Sequence, residues 1–245
     1  MIRAVLFDLD GTLVETERLK ALSYARAAVE LRPKAVTEAQ VVAAFKDVVG
    51  RSREEVATVL LDRFGLEEAA RARMSEFKVS APWEAFAQIR LGIYESMISD
   101  PKILLGQKYQ HNIDLLKKVR KIGYKTGLAT MSHRPQASRV MDILNVTNQF
   151  DLIVTRDDVS KGKPDPEVYL LLAQKLNITP AECLVIEDSP SGVKAALAAK
   201  MKCIAVATDF TRQGLHTENL LDKKFIVDDS IALDAVAQAI LTNHR

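Results

Sequence analysis

Ile2-Arg3-Ala4-Val5-Leu6-Phe7-Asp8-Leu9-Asp10-Gly11-Thr12 sets an apolar run against two carboxylates and a glycine. Ile2–Phe7 is short, aliphatic and closed by polar residues, the form of a strand buried on both faces. Working outward, the same form recurs at Lys125–Ala129, Leu152–Thr155, Leu184–Ile186, Ile204–Ala207 and Phe225–Val227. Helical patterns lie between these runs, at Tyr109–Ile122, Pro135–Leu144, Pro166–Leu176, Ser191–Ala199 and Ile231–Leu241. Pro166 suits a first helical turn, with Asp165 before it as the N-cap. Strands that alternate with helices predict an α/β fold, a parallel sheet with helices on both faces.

One segment breaks the alternation. From Glu15 to about Leu104 only helical patterns occur: Thr16–Leu31, Thr37–Val48, Arg53–Phe64, Leu66–Lys78 and Pro82–Ile98. Leu60, Leu61 and Phe64 recur at helix spacing, and Gly65 suits a helix end. An all-helical stretch directly after the first strand implies an insertion. The expected organisation is a Rossmann-like α/β core of residues 1–14 and 105–245 with an inserted helical cap of residues 15–104.

At 245 residues the chain is longer than the commonest single domain, consistent with that division. Its 34 basic and 32 acidic residues leave a net charge of +2, so no global field favours nucleic acid or an anionic membrane. No apolar stretch reaches the length of a membrane span. The N-terminus runs straight into a strand pattern without a signal-peptide layout. Cys183 and Cys203 both sit in apolar runs and read as buried thiols in a reducing compartment. A cytoplasmic protein is expected.

Ligand sites in open α/β sheets collect at the carboxyl ends of the strands, where Asp8 and Asp10 stand. Residues two apart in extended chain point the same way, so both acids can face one site. Their mutual repulsion is relieved by a cation or by a shared proton. Magnesium favours one or two carboxylates together with water and phosphate oxygens. A protonated carboxyl could serve as general acid for a leaving alkoxide. The string Asp8-Leu9-Asp10-Gly11-Thr12 resembles the first signature of the haloacid dehalogenase-like phosphatase superfamily. The resemblance implies that Asp8 is a nucleophile forming an aspartyl-phosphate, and Asp10 the acid and base. It also implies that the Asp10 main-chain carbonyl binds the metal, Mg2+.

Later motifs extend the resemblance in order. Thr130 follows the run Lys125–Ala129, where the family carries a hydroxyl for the phosphate. Ser132, His133 and Arg134 come next; Ser132 and Arg134 could extend an anion site, whereas His133 reads as a solvated loop residue. In Lys161-Gly162-Lys163-Pro164-Asp165-Pro166, the family's phosphate-neutralising lysine falls on Lys163, directly before a proline, and Lys161 reads as solvated. Glu187 and Asp188 end the apolar run Leu184–Ile186, where the family places its magnesium acids. The implied metal set is Asp8, Asp10, Glu187 and Asp188.

In the helical segment, Gly50-Arg51-Ser52-Arg53-Glu54-Glu55 resembles the substrate-reading loop of the β-phosphoglucomutase-like branch. Arg53 matches its arginine for a distal phosphate or polar group. Lys20 stands where that branch usually carries a histidine, which argues for a phosphatase over a mutase. The reading is therefore a magnesium-dependent phosphatase of a small phosphorylated metabolite, a sugar phosphate first, working as a monomer or weak homodimer. A phosphosugar mutase is the alternative. A non-catalytic phosphate-binding protein is the third reading, and the intact acid set argues against it.

Overall fold

The computed structural model describes residues 1–49 and 52–242. Gly50 and Arg51 of the Gly50–Glu55 loop lie outside the described residues, as do 243–245. Strand β1 (Ala4–Phe7) precedes seven helices: α1 (Thr16–Leu31), α2 (Glu38–Phe45), α3 (Arg53–Phe64), α4 (Glu67–Ala72), α5 (Met74–Phe77), α6 (Pro82–Ser99) and α7 (Pro101–Leu105). The alternation then resumes with α8 (Gln110–Lys121), β2 (Lys125–Ala129), α9 (Arg134–Leu144), β3 (Leu152–Val154), α10 (Glu167–Leu176) and β4 (Cys183–Glu187). It closes with α11 (Pro190–Ala198), β5 (Lys202–Val206), α12 (Arg212–Thr217), β6 (Ile226–Val227) and α13 (Leu233–Thr242).

The chain divides into two compact units, Met1–Glu15 with Leu104–Arg245, and Thr16–Ile103. The first unit holds a six-stranded sheet in the order β3-β2-β1-β4-β5-β6. Every adjacent pair is parallel. All residues of β1 and β4 are buried, as expected of strands covered on both faces. The strand order turns about β1, because the chain goes first to β2 and β3 and then crosses to β4. That switch point opens the crevice at the carboxyl ends of β1, β2 and β4.

Two chain crossings are tied beside that crevice. Glu15 donates its N–H to the Gln107 carbonyl (2.8 Å), and Tyr109 donates to Leu13 (2.9 Å), so the departing and returning segments are zipped together. Gly11 sits at φ +86° and donates to Val14 (2.8 Å), closing the tight loop that carries Asp10.

In the second unit, α1, α2, α3 and α6 supply the core. Tyr24 packs against Phe45 and Phe86, and Leu60 is fully buried. Ser52 and Glu55 form a capping box at the start of α3, and Gly65 closes it in the left-handed region. The expected single helix over Leu66–Lys78 is instead α4 and α5, broken at Arg73. The two pieces bury only Ala70 between them, too little to hold one continuous helix. The Arg73 guanidinium meanwhile binds Glu76 and Glu30. Pro166 is the N-cap of α10 rather than its first turn, and Asp165 accepts the Glu167 N–H (3.0 Å) one residue further on. Strand β5 begins at Lys202, ahead of the expected Ile204, because it runs in register with Leu184–Glu187. No helix among the described residues is long and apolar enough to cross a membrane.

Asp151 ties this sheet together from one edge. Its carboxylate accepts the Thr126 N–H (2.8 Å) and pairs with Arg120 (2.6 Å) at the end of α8. Burial alone would raise its pKa, but Arg120 and the Thr126 N–H hold it below the usual carboxylate value. A depressed pKa gives stability that is complete above the unfolded value, about 4, and lost as pH falls through the folded one. Asp151→Asn should therefore cost about 1–2 kcal/mol at pH 7. Paired denaturation curves should show the gap closing below about pH 4; a gap unchanged down to pH 2 would contradict this account.

Candidate active site

Four side chains of the site are delivered by the ends of strands. Asp8 follows β1, Thr130 follows β2, Glu187 closes β4 and Asp188 comes next. Asp8, Thr130, Glu187 and Asp188 are all buried. Lys163 reaches them from the loop before α10, its side chain only 5% exposed. Its Nζ donates to Asp8 Oδ1 (2.6 Å), Glu187 Oε1 (2.6 Å) and the Ala129 carbonyl (3.0 Å). An ammonium has three protons, and here each has an acceptor.

Asp10 is held from the other side. Thr130 Oγ1 (3.0 Å) and Ser132 Oγ (2.7 Å) both donate to its Oδ2. The Ser132 N–H in turn donates to Thr130 Oγ1 (3.0 Å). A hydroxyl has a single proton to give, so both hydroxyls spend theirs on Asp10.

Burial and charge pull against each other across the cluster. Burial pushes Asp8 well above the usual carboxylate range; Lys163 pulls it down, while Glu187 and Asp10 add to the rise. Burial alone would raise Glu187 too, but Lys163 and several hydrogen bonds hold it below its ordinary value. Burial alone would lower Lys163, and Asp8 and Glu187 together hold it well above the ordinary lysine value. The lysine therefore stays charged. Its fixed positive charge is what allows buried carboxylates to share one crevice.

Three residues that sequence reasoning did not single out complete the arrangement. Tyr169 donates its hydroxyl to Glu187 Oε1 (2.8 Å). Ser189 gives Glu187 Oε2 both its N–H and its hydroxyl, each at 3.1 Å. At Gly192, a Cβ would lie only 1.8 Å from Glu187 Oε1. The signal for Tyr169 was the helical stripe Val168, Tyr169, Leu172, Ala173, which turns a tyrosine toward the sheet. Ser189 and Gly192 stand in the string Ser189-Pro190-Ser191-Gly192 directly after Asp188.

Within the first unit, Ser132 joins the cluster, whereas the expected Arg134 does not. Arg134, at the start of α9, pairs with Asp158 (2.5 Å), and His133 beside it binds Asp157 (2.5 Å). Lys161 is exposed. In the second unit, Lys20 pairs with Glu17 (2.7 Å) and Arg53 is exposed in the first turn of α3. The same unit buries Arg90, whose guanidinium lies over the rings of Tyr24 (4.9 Å) and Tyr94 (4.6 Å). Its Nε has no hydrogen-bond partner.

The acids fit a divalent metal. Asp8, Glu187 and Asp188 each offer a carboxylate oxygen, and these lie within 4.8 Å of one another. Hard oxygen donors at such spacing suit magnesium. The space is kept open by Gly11, where a Cβ would lie 2.2 Å from Asp188 Oδ2.

A doubly wound sheet with acids at its switch point, and a lysine between them, defines a class of α/β enzyme. The family model described as haloacid dehalogenase-like hydrolase matches residues 5–206. The chain belongs to that family. It is 27% identical over 223 residues to a validoxylamine A 7'-phosphate phosphatase of Streptomyces hygroscopicus, covering 91% of this chain and 94% of that one. It is 29% identical over 203 residues to a phosphorylated carbohydrates phosphatase of Thermotoga maritima, covering 83% and 84%. A solved β-phosphoglucomutase from Clostridium difficile superposes with a TM-score of 0.68 over 98% of this chain and 100% of that one. At 22% identity this last likeness carries the fold alone.

The cradle around Glu187 can be tested through its glycine. Gly192→Ala should lower stability by about 1–3 kcal/mol, since carboxylate and helix must move apart. Gly92→Ala, in helix α6 where a Cβ meets nothing within 4 Å, should be neutral or stabilising. Melting curves showing equal effects for the two substitutions would refute the close fit.

Proposed function

We propose that the chain is a magnesium-dependent phosphatase of a small phosphorylated metabolite, a sugar phosphate first, with Asp8 as its nucleophile. The observation that carries this reading is the contact of buried Asp8 with Lys163, beside the Glu187–Asp188 pair. Two relatives, a validoxylamine A 7'-phosphate phosphatase and a phosphorylated carbohydrates phosphatase, support a small phosphorylated metabolite as substrate. No membrane or nucleic-acid partner enters the reading, and the two buried free thiols suit a reducing cytoplasm.

Asp8, Glu187, Asp188 and the Asp10 main-chain carbonyl would hold Mg2+. The ion would neutralise phosphoryl oxygens and orient them. Asp8 forms a bond to phosphorus as the bond to the ester oxygen breaks, giving an aspartyl-phosphate. Asp10 passes its proton to the departing oxygen, then takes one from the water that releases phosphate. Lys163 balances the charge on the transferring group. Thr130 and Ser132 now donate to Asp10, so binding a phosphoryl oxygen requires them to turn from it. That exchange frees Asp10 Oδ2 of two neutral donors when substrate is present.

Arg53 and Lys20 would read the part of the substrate beyond the phosphoryl group, with Arg134 released from Asp158 if it takes part. The mutase reading differs only in what accepts the phosphoryl group from Asp8.

Asp8→Asn should lower phosphate release from p-nitrophenyl phosphate by at least about 1,000-fold while the fold persists; retained turnover would remove Asp8 as nucleophile. EDTA should silence the enzyme and added Mg2+ restore it, and metal-independent turnover would sink the metal assignment. With β-glucose 1-phosphate and glucose 1,6-bisphosphate, free phosphate should exceed glucose 6-phosphate, the reverse partition indicating a mutase.

A further inference from the structure

Tyr169 is among the largest fully buried side chains of the protein, and it is the one whose polar tip touches the acid cluster. It lies on the stripe of α10 formed with Val168, Leu172 and Ala173. A phenylalanine would fill the same apolar space. A hydroxyl placed there costs free energy unless it is hydrogen-bonded, and here its partner is a charged carboxylate.

The phenol shares Glu187 Oε1 with Lys163, and the tyrosine ring lies 5.0 Å from the lysine Nζ. Glu187 Oε2 takes the Asp188 N–H (3.0 Å) and both Ser189 donors. Five donors thus converge on a group with about four lone-pair sites. Burial first, then the neighbouring Glu187 and Asp8 charges, push the Tyr169 phenol well above its ordinary pKa, so it remains a donor.

We propose that Tyr169 is a positioning residue of the active site: through its hydroxyl it fixes Glu187, and through Glu187 and its ring face it fixes the Lys163 ammonium against Asp8. The inference rests on the metal-dependent reading given above and extends it by one residue. Without the hydroxyl, Glu187 Oε1 has Lys163 as its remaining donor. The carboxylate can then rotate, drawing the ammonium with it and opening the acid set that receives the metal. Partners that orient ligating carboxylates typically govern metal affinity by 10-fold or more.

The test is Mg2+ binding by titration calorimetry on the full chain, with kcat and KM for p-nitrophenyl phosphate measured at saturating metal. Tyr169→Phe should keep a melting temperature close to that of the wild type, bind Mg2+ about 10-fold more weakly and lose kcat with little change in KM. Leu172→Ala, one turn along the same stripe, should lower the melting temperature and leave Mg2+ affinity within twofold. Tyr169→Phe binding Mg2+ as the wild type does would overturn the inference. So would a loss of affinity that Leu172→Ala reproduces in proportion to its loss of stability. A wild-type chain that binds no Mg2+ would instead remove the metal-dependent reading, and the inference with it.

Discussion

Lys163 Nζ holds together groups that would otherwise expel one another. Asp8 and Glu187 are both buried, and Asp188 beside them is buried as well. Removing carboxylates from water costs several kcal/mol each after relaxation. One ammonium within 2.6 Å of two of them offsets much of that cost. It cannot offset all of it, because three carboxylates face one lysine. Such a set can take up a divalent cation or hold a proton, independent of any likeness to other proteins.

The sheet order makes this meeting possible. Asp8, the Ala129 carbonyl and Glu187 belong to the ends of β1, β2 and β4, which are neighbours through parallel pairing. Lys163 is 155 residues from Asp8 along the chain, yet the two side chains touch. Two glycines supply the remaining room. Gly11 leaves space for Asp188 and Gly192 leaves space for Glu187, and in both places a Cβ would overlap a carboxylate. The tight approach of backbone to acid explains why a loop and a helix start are each built around the smallest residue.

Much of this was legible in the sequence because it is encoded locally. An apolar strand that ends on a polar residue announces both its own burial and the position of that residue at a sheet rim. Asp8, Thr130, Glu187 and Asp188 all follow that rule. The run of helices between β1 and α8 was legible for the same reason, since its periodicity differs from that of the strands around it. What escaped was long-range partnership. Nothing local tells that Arg134 turns to Asp158, that Ser132 joins Thr130 on Asp10, or that the Tyr169 hydroxyl ends on Glu187. The break at Arg73 escaped because it depends on how little of α4 and α5 is buried, and on a partner, Glu30, far back in the chain.

Asp8 and Asp10 are two residues apart, chemically identical and placed in different surroundings, which would let one loop hold the two roles proposed for it. Asp8 is buried against a permanent positive charge. Burial pushes its pKa up and the lysine pulls it down, so the ammonium is what favours its charged form. Asp10 is only partly buried and is met by hydroxyls, donors that can turn away without leaving a charge unpaired. Neutral donors of this kind can be exchanged for others with little reorganisation of the core. On the proposed reading, interchanging the two environments would put the proton carrier where its proton competes with an ammonium. The proposed division of labour would thus be set by what surrounds each carboxylate rather than by the carboxylates themselves.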